Sequence, residues 1–172
     1  MGCQTEIVAQ IIEQQADYLL ALKANHGRLY QEVERLFNDA LTDPQKVIPY
    51  QTHRMINKGH DRLEIRQCCT ISRPQYLAYL DPQARWVGLQ TVVRIEATRQ
   101  LTGTDPSQEV RYYLSSLADD PERLNQVARR IGLLKTDCIG FSMSLLAKIR
   151  AECARVMPLK IWPSCATLLL TL

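Results

Sequence analysis

Apolar positions recur along this chain with two different periods, and the change from one to the other divides it. Within residues 5–15, Ile7, Val8, Ile11 and Ile12 fall on one face of a helix, with Thr5 as its cap. The next run, Tyr18-Leu19-Leu20-Ala21-Leu22, is short and continuously apolar. It predicts a strand buried on both faces of a largely parallel sheet, ending in Lys23-Ala24-Asn25. Leu29, Val33, Leu36 and Phe37 then return to helical register, so residues 5 to 41 read as an α-β-α unit.

After Pro49 the period becomes two. Between His60 and Ile71, Leu63 and Ile65 alternate with Arg62, Glu64 and Arg66, which predicts a strand with one solvated side. Residues 89–97 and 109–117 alternate in the same way, so three strands form an antiparallel insert or an extension of the sheet. Gly103 to Ser107 is a loop by its turn chemistry. Asp120, Pro121 and Glu122 supply a cap, a first-turn proline and an early acid, opening a helix that carries Leu124, Val127 and Ala128. From Ile131 onward neither period is clean, and Cys138, Cys153 and Cys165 all fall in this last part.

Composition narrows the picture only slightly. The chain has 172 residues, is 46% hydrophobic and carries a formal charge of +3, enough for one domain with a core and for mild attraction to nucleic acid. Its six cysteines lack C-x-x-C spacing and no secretory signal precedes them, so they read as reduced cytoplasmic thiols rather than a zinc site or a disulfide framework. The apolar run at residues 166–172 is much shorter than the roughly 18 to 20 residues of a membrane span. Met1-Gly2-Cys3-Gln4 leads almost directly into a helix and reads as a cut edge.

Candidate chemistry is sparse. Arg62, Glu64 and Arg66 share a strand face on which the arginines can fork onto phosphates, against a plain self-compensating salt-bridged surface. His26, His53 and His60 have no paired spacing and read as surface residues. Cys68 and Cys69, being adjacent in a strand, point to opposite faces and read as packing. The acids Asp119, Asp120 and Glu122 are explained by the start of a helix before any magnesium role. Lys23 and Asn25, just past the carboxyl end of the buried strand, stand where open α/β sheets place their functional loops, and they are the best candidates for the edge of a site.

Four stretches in order, Met1-Gly2-Cys3-Gln4, residues 18–25 (YLLALKAN), residues 59–66 (GHDRLEIR) and residues 110–117 (VRYYLSSL), resemble the H-repeat-associated transposases of insertion sequences. The resemblance runs from Met1 to about Arg130. It implies an α/β fold of the RNase H-like kind, here a partial domain with an antiparallel β insert and an irregular C-terminal tail. It also implies DDE chemistry, in which two aspartates and a glutamate bind Mg2+ ions that activate water and then a DNA 3′ hydroxyl. Implied partners are DNA at the insertion-sequence ends and a second copy or a full-length transposase. Lys23, Asn25, His60, Arg62 and Arg66 are the DNA-binding candidates, in a cytoplasmic protein.

In the family, the second aspartate stands two positions before the residue that matches Met1, and the glutamate lies in a Trp-Gly-Ile-Glu-Asn segment expected shortly after Arg130. This chain reads Ile131-Gly132-Leu133-Leu134-Lys135-Thr136 there. A shift of reading frame accounts for the substitution. Joining the last base of one codon to the first two of the next forces Leu at Asp137–Cys138 and Ala at Trp162–Pro163. It also permits a family-like C-terminus elsewhere along the tail. The expectation is a partial catalytic domain over 1–130 and an out-of-frame tail over 131–172. Such a chain has no catalytic carboxylates, no metal-binding residues and no cofactor of its own.

Overall fold

The computed structural model describes residues 2–23, 27–43, 45, 47–59, 62–101, 103–137, 166 and 167. The chain opens with helix α1 (Gly2–Glu13), followed by the short strands β1 (Ala16–Asp17) and β2 (Leu19–Leu22) and helix α2 (Arg28–Thr42). Then come β3 (Gln51–Lys58), β4 (Arg62–Ile71), α3 (Pro74–Leu80), β5 (Thr91–Leu101), β6 (Ser107–Ser115) and α4 (Pro121–Asp137). A two-residue strand, β7 (Ala166–Thr167), pairs with β1 in parallel.

Strands β2 to β6 form one sheet in the order β2-β6-β5-β4-β3, and every pairing in it is antiparallel. Period two is what splits its residues between two faces. On one face Tyr112, Leu114, Val92, Cys69 and Ile71 meet Val8 and Ile11 of α1, Val33, Leu36 and Phe37 of α2, and Leu80 of α3 in a single apolar cluster. Phe37 stacks on Tyr112 at 6.0 Å between ring centres, and Tyr30 meets the same ring edge-on at 5.4 Å. Gly88, with φ +73, is needed where the loop before β5 crosses α1, because a Cβ there would lie 2.9 Å from Ile12 Cδ1. The opposite face is closed by α4, whose Leu124, Ala128 and Ile131 cluster with Leu19, Cys68, Val93, Ile95 and Tyr113.

The molecule is thus mixed α/β, with helices on both faces of an antiparallel sheet. Several elements follow the sequence closely: the α-β-α opening, the three alternating strands, and α4, where Asp120 Oδ1 accepts the Arg123 N–H at 3.0 Å and Pro121 takes the first helical position. Cys68 and Cys69 are free thiols that enter opposite clusters, as adjacent strand residues must.

Four expectations are corrected. The buried strand is antiparallel to β6 rather than part of a parallel sheet; Leu19 and Leu22 are enclosed because helices cover both faces, a condition that does not depend on strand direction. Thr5 lies inside α1, which begins at Gly2, and is not its cap. The face bearing Glu64 and Arg66 is not solvated, since α4 covers it and leaves those residues 5% and 7% exposed. Ordered helix also continues past Arg130, because Ile131 extends the Leu124–Ala128 stripe by one more turn, at i+3 from Ala128, and is buried. The rest of the expected irregular tail lies outside the described residues, apart from Ala166 and Thr167.

Candidate functional site

The chemistry-bearing side chains gather where α4 runs along β3 and β4. At the start of this helix, Asp119 accepts three side-chain hydrogen bonds. Thr70 Oγ1 donates to Oδ1, while Ser72 Oγ and Gln51 Nε2 donate to Oδ2 at 2.7 and 3.0 Å. This carboxylate therefore ties the last strand-to-helix connection to the adjoining ends of β3 and β4. Beside it opens a cleft of about 450 Å³ with Ser72, Leu77, Leu89, Gln90 and Asp119 among its walls.

Further along, the flank of α4 beside its apolar stripe is polar. Asn125 is fully buried, and neither its Oδ1 nor its Nδ2 has a hydrogen-bond partner. One turn on, Arg129 Nη1 donates to Asn57 Oδ1 at 3.0 Å, while Arg129 Nε and Asn57 Nδ2 are enclosed and unpartnered. Opposite Asn57 on the same sheet face stands Glu64, whose Oε1 accepts Arg66 Nε at 3.0 Å and Arg99 Nε at 3.4 Å. Burial works against the Glu64 charge, yet the two guanidinium groups prevail and hold its carboxyl below the usual range. Arg66 has a second nitrogen, Nη1, that is enclosed with nothing to donate to, and His53 Nδ1 two residues before Met55 is in the same condition.

The structure does not bring the five sequence-predicted DNA contacts together. Asn25 and His60 lie outside the described residues. Lys23 is exposed just past β2, and Arg62 is exposed at the start of β4. The pairing registers put those two about 20 Å apart along the strands and about 14 Å across them, too far to share one phosphate. Arg66 is buried and joined to Glu64, so the compensated reading of the Arg62, Glu64 and Arg66 face is correct in its ion pair and wrong in its exposure. His53, read as a surface residue, is half-buried against α4.

Sequence reasoning also missed Asn57, Asn125 and Arg129. The available signal was Asn125 and Arg129, four apart on the helix and next to the Leu124–Ala128 stripe, together with the shared parity of His53 and Asn57.

Magnesium chemistry of the DDE type needs carboxylates that converge with free oxygens. Both Asp119 oxygens are taken by hydroxyl and amide donors, Asp120 caps α4, and Glu64 is held by two arginines. Among the described residues no three histidine, cysteine, aspartate or glutamate side chains are placed to hold a metal ion. These groups do not fit a magnesium pair. Also among the described residues, no helix is long and apolar enough to cross a membrane.

No family model matches the chain, and no solved structure is significantly similar to it. Curated relatives do match. An uncharacterized protein encoded in the dhlA 3′ region of Xanthobacter autotrophicus is 34% identical over 121 residues, which is 70% of this chain and 38% of that protein. From Escherichia coli strain K12, "H repeat-associated putative transposase YhhI" is 32% identical over 120 residues, 67% of this chain and 30% of its own length. "Putative transposase YncI" of Escherichia coli O157:H7 is 30% identical over 139 residues, 78% of this chain and 34% of its own length. The chain therefore spans about a third of the length of these relatives. The H repeat-associated name recurs in a shorter match to YbfD of Escherichia coli strain K12, 37% identical over 67 residues and 38% of this chain, so over the matched residues the chain is similar to the H-repeat-associated transposases.

Proposed function

We infer that this chain is a DDE-type transposase fragment of an insertion sequence, with DNA as its partner, that does not itself cleave DNA. One observation carries the reading: among the described residues, the carboxylates Asp119, Asp120 and Glu64 at the α4 edge of the sheet are already engaged. Asp119 is held by three donors, Asp120 by the helix it caps, and Glu64 by two arginines. Freeing Glu64 for a metal would leave Arg66 buried and uncompensated, at a cost of several kcal/mol. The frame shift after Arg130 belongs to this reading, since it removes the segment in which the family carries its glutamate.

The direct test is incubation of the purified chain with magnesium and DNA carrying the element ends. No nicking is expected, and reproducible metal-dependent nicking overturns the reading.

A second reading, a regulatory DNA-binding module without enzymatic activity, is favoured by the charge on the sheet's edge. Strand β3 carries Arg54 and Lys58, both exposed, and no acid. It predicts a gel shift with element-end DNA that weakens steeply with salt, and no shift at low salt removes it.

A further inference from the structure

The unpartnered atoms beneath α4 are mostly donors, with Asn125 Oδ1 and His53 Nδ1 beside them. Arg66 Nη1, Arg129 Nε, Asn57 Nδ2 and Asn125 Nδ2 are hydrogen-bond donors, enclosed, with no acceptor among the described residues. They reach one region from three elements: β4, β3 and α4. The sheet register places Asn57 opposite Glu64 and Met55 opposite Arg66, so Asn57 and Arg66 are diagonal neighbours on the face that α4 covers. Arg129 is fixed over Asn57 by its 3.0 Å hydrogen bond, and Asn125 precedes it by one helical turn.

An enclosed donor without an acceptor costs about 1–3 kcal/mol, and more when it is charged. Four such donors in one place are therefore expensive for a fold this size to retain. Charge points the same way. Arg66, Arg99 and Arg129 surround the region, and among the described residues the carboxylate paired there is Glu64, to which Arg66 commits Nε while its Nη1 has no partner.

We propose that the seam where α4 packs on the edge strand β3 is an oxyanion site that takes one phosphate group, held by Arg66, Arg129, Asn57 and Asn125. A tetrahedral phosphate presents oxygens in several directions at once, which suits donors arriving from three elements better than a planar carboxylate does. The way in lies at the edge of the sheet, where His53, Asn57 and Arg129 are half-exposed, while Asn125 and Arg66 are buried and form the floor. A phosphodiester of the DNA backbone and free inorganic phosphate offer the same chemistry. The first source rests on the DNA-partner reading given above; the site itself does not.

The test compares the intact chain with Asn125→Leu and Arg129→Gln, titrating each with inorganic phosphate against chloride at matched ionic strength and following the thermal midpoint. Phosphate also stabilises proteins by exclusion from their surface, so the readout is the saturating part of the rise. Wild type should show a saturating rise. Arg129→Gln should weaken the phosphate affinity about ten- to a hundredfold, in line with the loss of a charged donor. Asn125→Leu should lose about tenfold in affinity. Without phosphate it should be no less stable than wild type, because an unpaired amide gives way to an apolar group of similar size. No saturating rise in wild type, or affinities in both variants equal to wild type, overturns the proposal.

A random-sequence DNA duplex separates the two sources. If DNA binds, and Asn125→Leu and Arg129→Gln bind it as tightly as wild type while losing phosphate, the occupant is free phosphate and the DNA reading stands. If phosphate saturates and DNA never binds, the site stands and the DNA reading fails.

Discussion

The two faces of the central sheet are built from the same strands and have very different contents. Toward α1, α2 and α3, the face is a continuous apolar cluster in which Phe37, Tyr112, Leu114 and Ile71 are almost wholly enclosed. Toward α4, only the half near Leu124, Val93 and Ile95 is apolar. The other half encloses Glu64, Arg66, Asn57 and Asn125. The difference lies in the alternating residues of β3 and β4, where successive positions feed opposite faces, so one strand can serve a stability layer and a polar layer together. The first face explains why the chain folds, and the second is where its chemistry is concentrated.

The contrast can be broken from either side. The largest effect is expected for Phe37→Ala, which removes a fully enclosed ring from the apolar face and should cost about 3–5 kcal/mol in a denaturant titration. A loss below about 1 kcal/mol would mean that this cluster does not hold the fold together. Leu124→Ala strips the anchor of α4 and should cost about 2–4 kcal/mol. Hydrogen exchange should then quicken in α4 before it does in β2 and β6; uniform quickening would deny the two layers any independence.

Asp120→Ala removes the α4 cap, with a smaller expected cost of about 1 kcal/mol. The last effect is confined to alkaline pH. Burial pushes the Cys68 thiol from 9.0 up to about 12, with the nearby Cys69, Asp119 and Asp120 adding to the shift. The folded chain therefore keeps a proton that the unfolded chain gives up. The resulting stability is fully present below pH 9.0, and it is lost as pH rises through about 12. A Cys68→Ala variant should flatten that alkaline decline, and an unchanged slope would assign it to other groups.

How far the sequence could be read follows from which signals are local. Helical spacing in Ile7, Val8 and Ile11 and in Val33, Leu36 and Phe37, and the cap formed by Asp120 and Pro121, depend on near neighbours and reappear in the fold. Strand β3 was passed over because Met55 and Ile56 are adjacent apolar residues that break the alternation, and as an edge strand it has little apolar surface to display. The short helix α3 also left no mark, being about two turns begun by Pro74. Strand direction was misjudged at residues 18–22 because burial on both faces reports covering helices, and α4, which supplies one of them, is about a hundred residues away in the chain. The polar cluster was the least legible part. It depends on Asn57 meeting Arg129 across 72 positions, a proximity created only by the packing of α4.

One feature of β3 reaches beyond the single molecule. Among the described residues its eight residues pair with β4 alone, leaving the other backbone edge unpaired there, and Ile56 beside that edge is 52% exposed. Arg54 and Lys58 flank Ile56 as like charges that would repel an identical strand laid alongside. Such repulsion acts through solvent and fades as the Debye length shrinks. Concentrated salt should therefore turn a monodisperse preparation toward stacked aggregates, and the chain is best handled in dilute electrolyte.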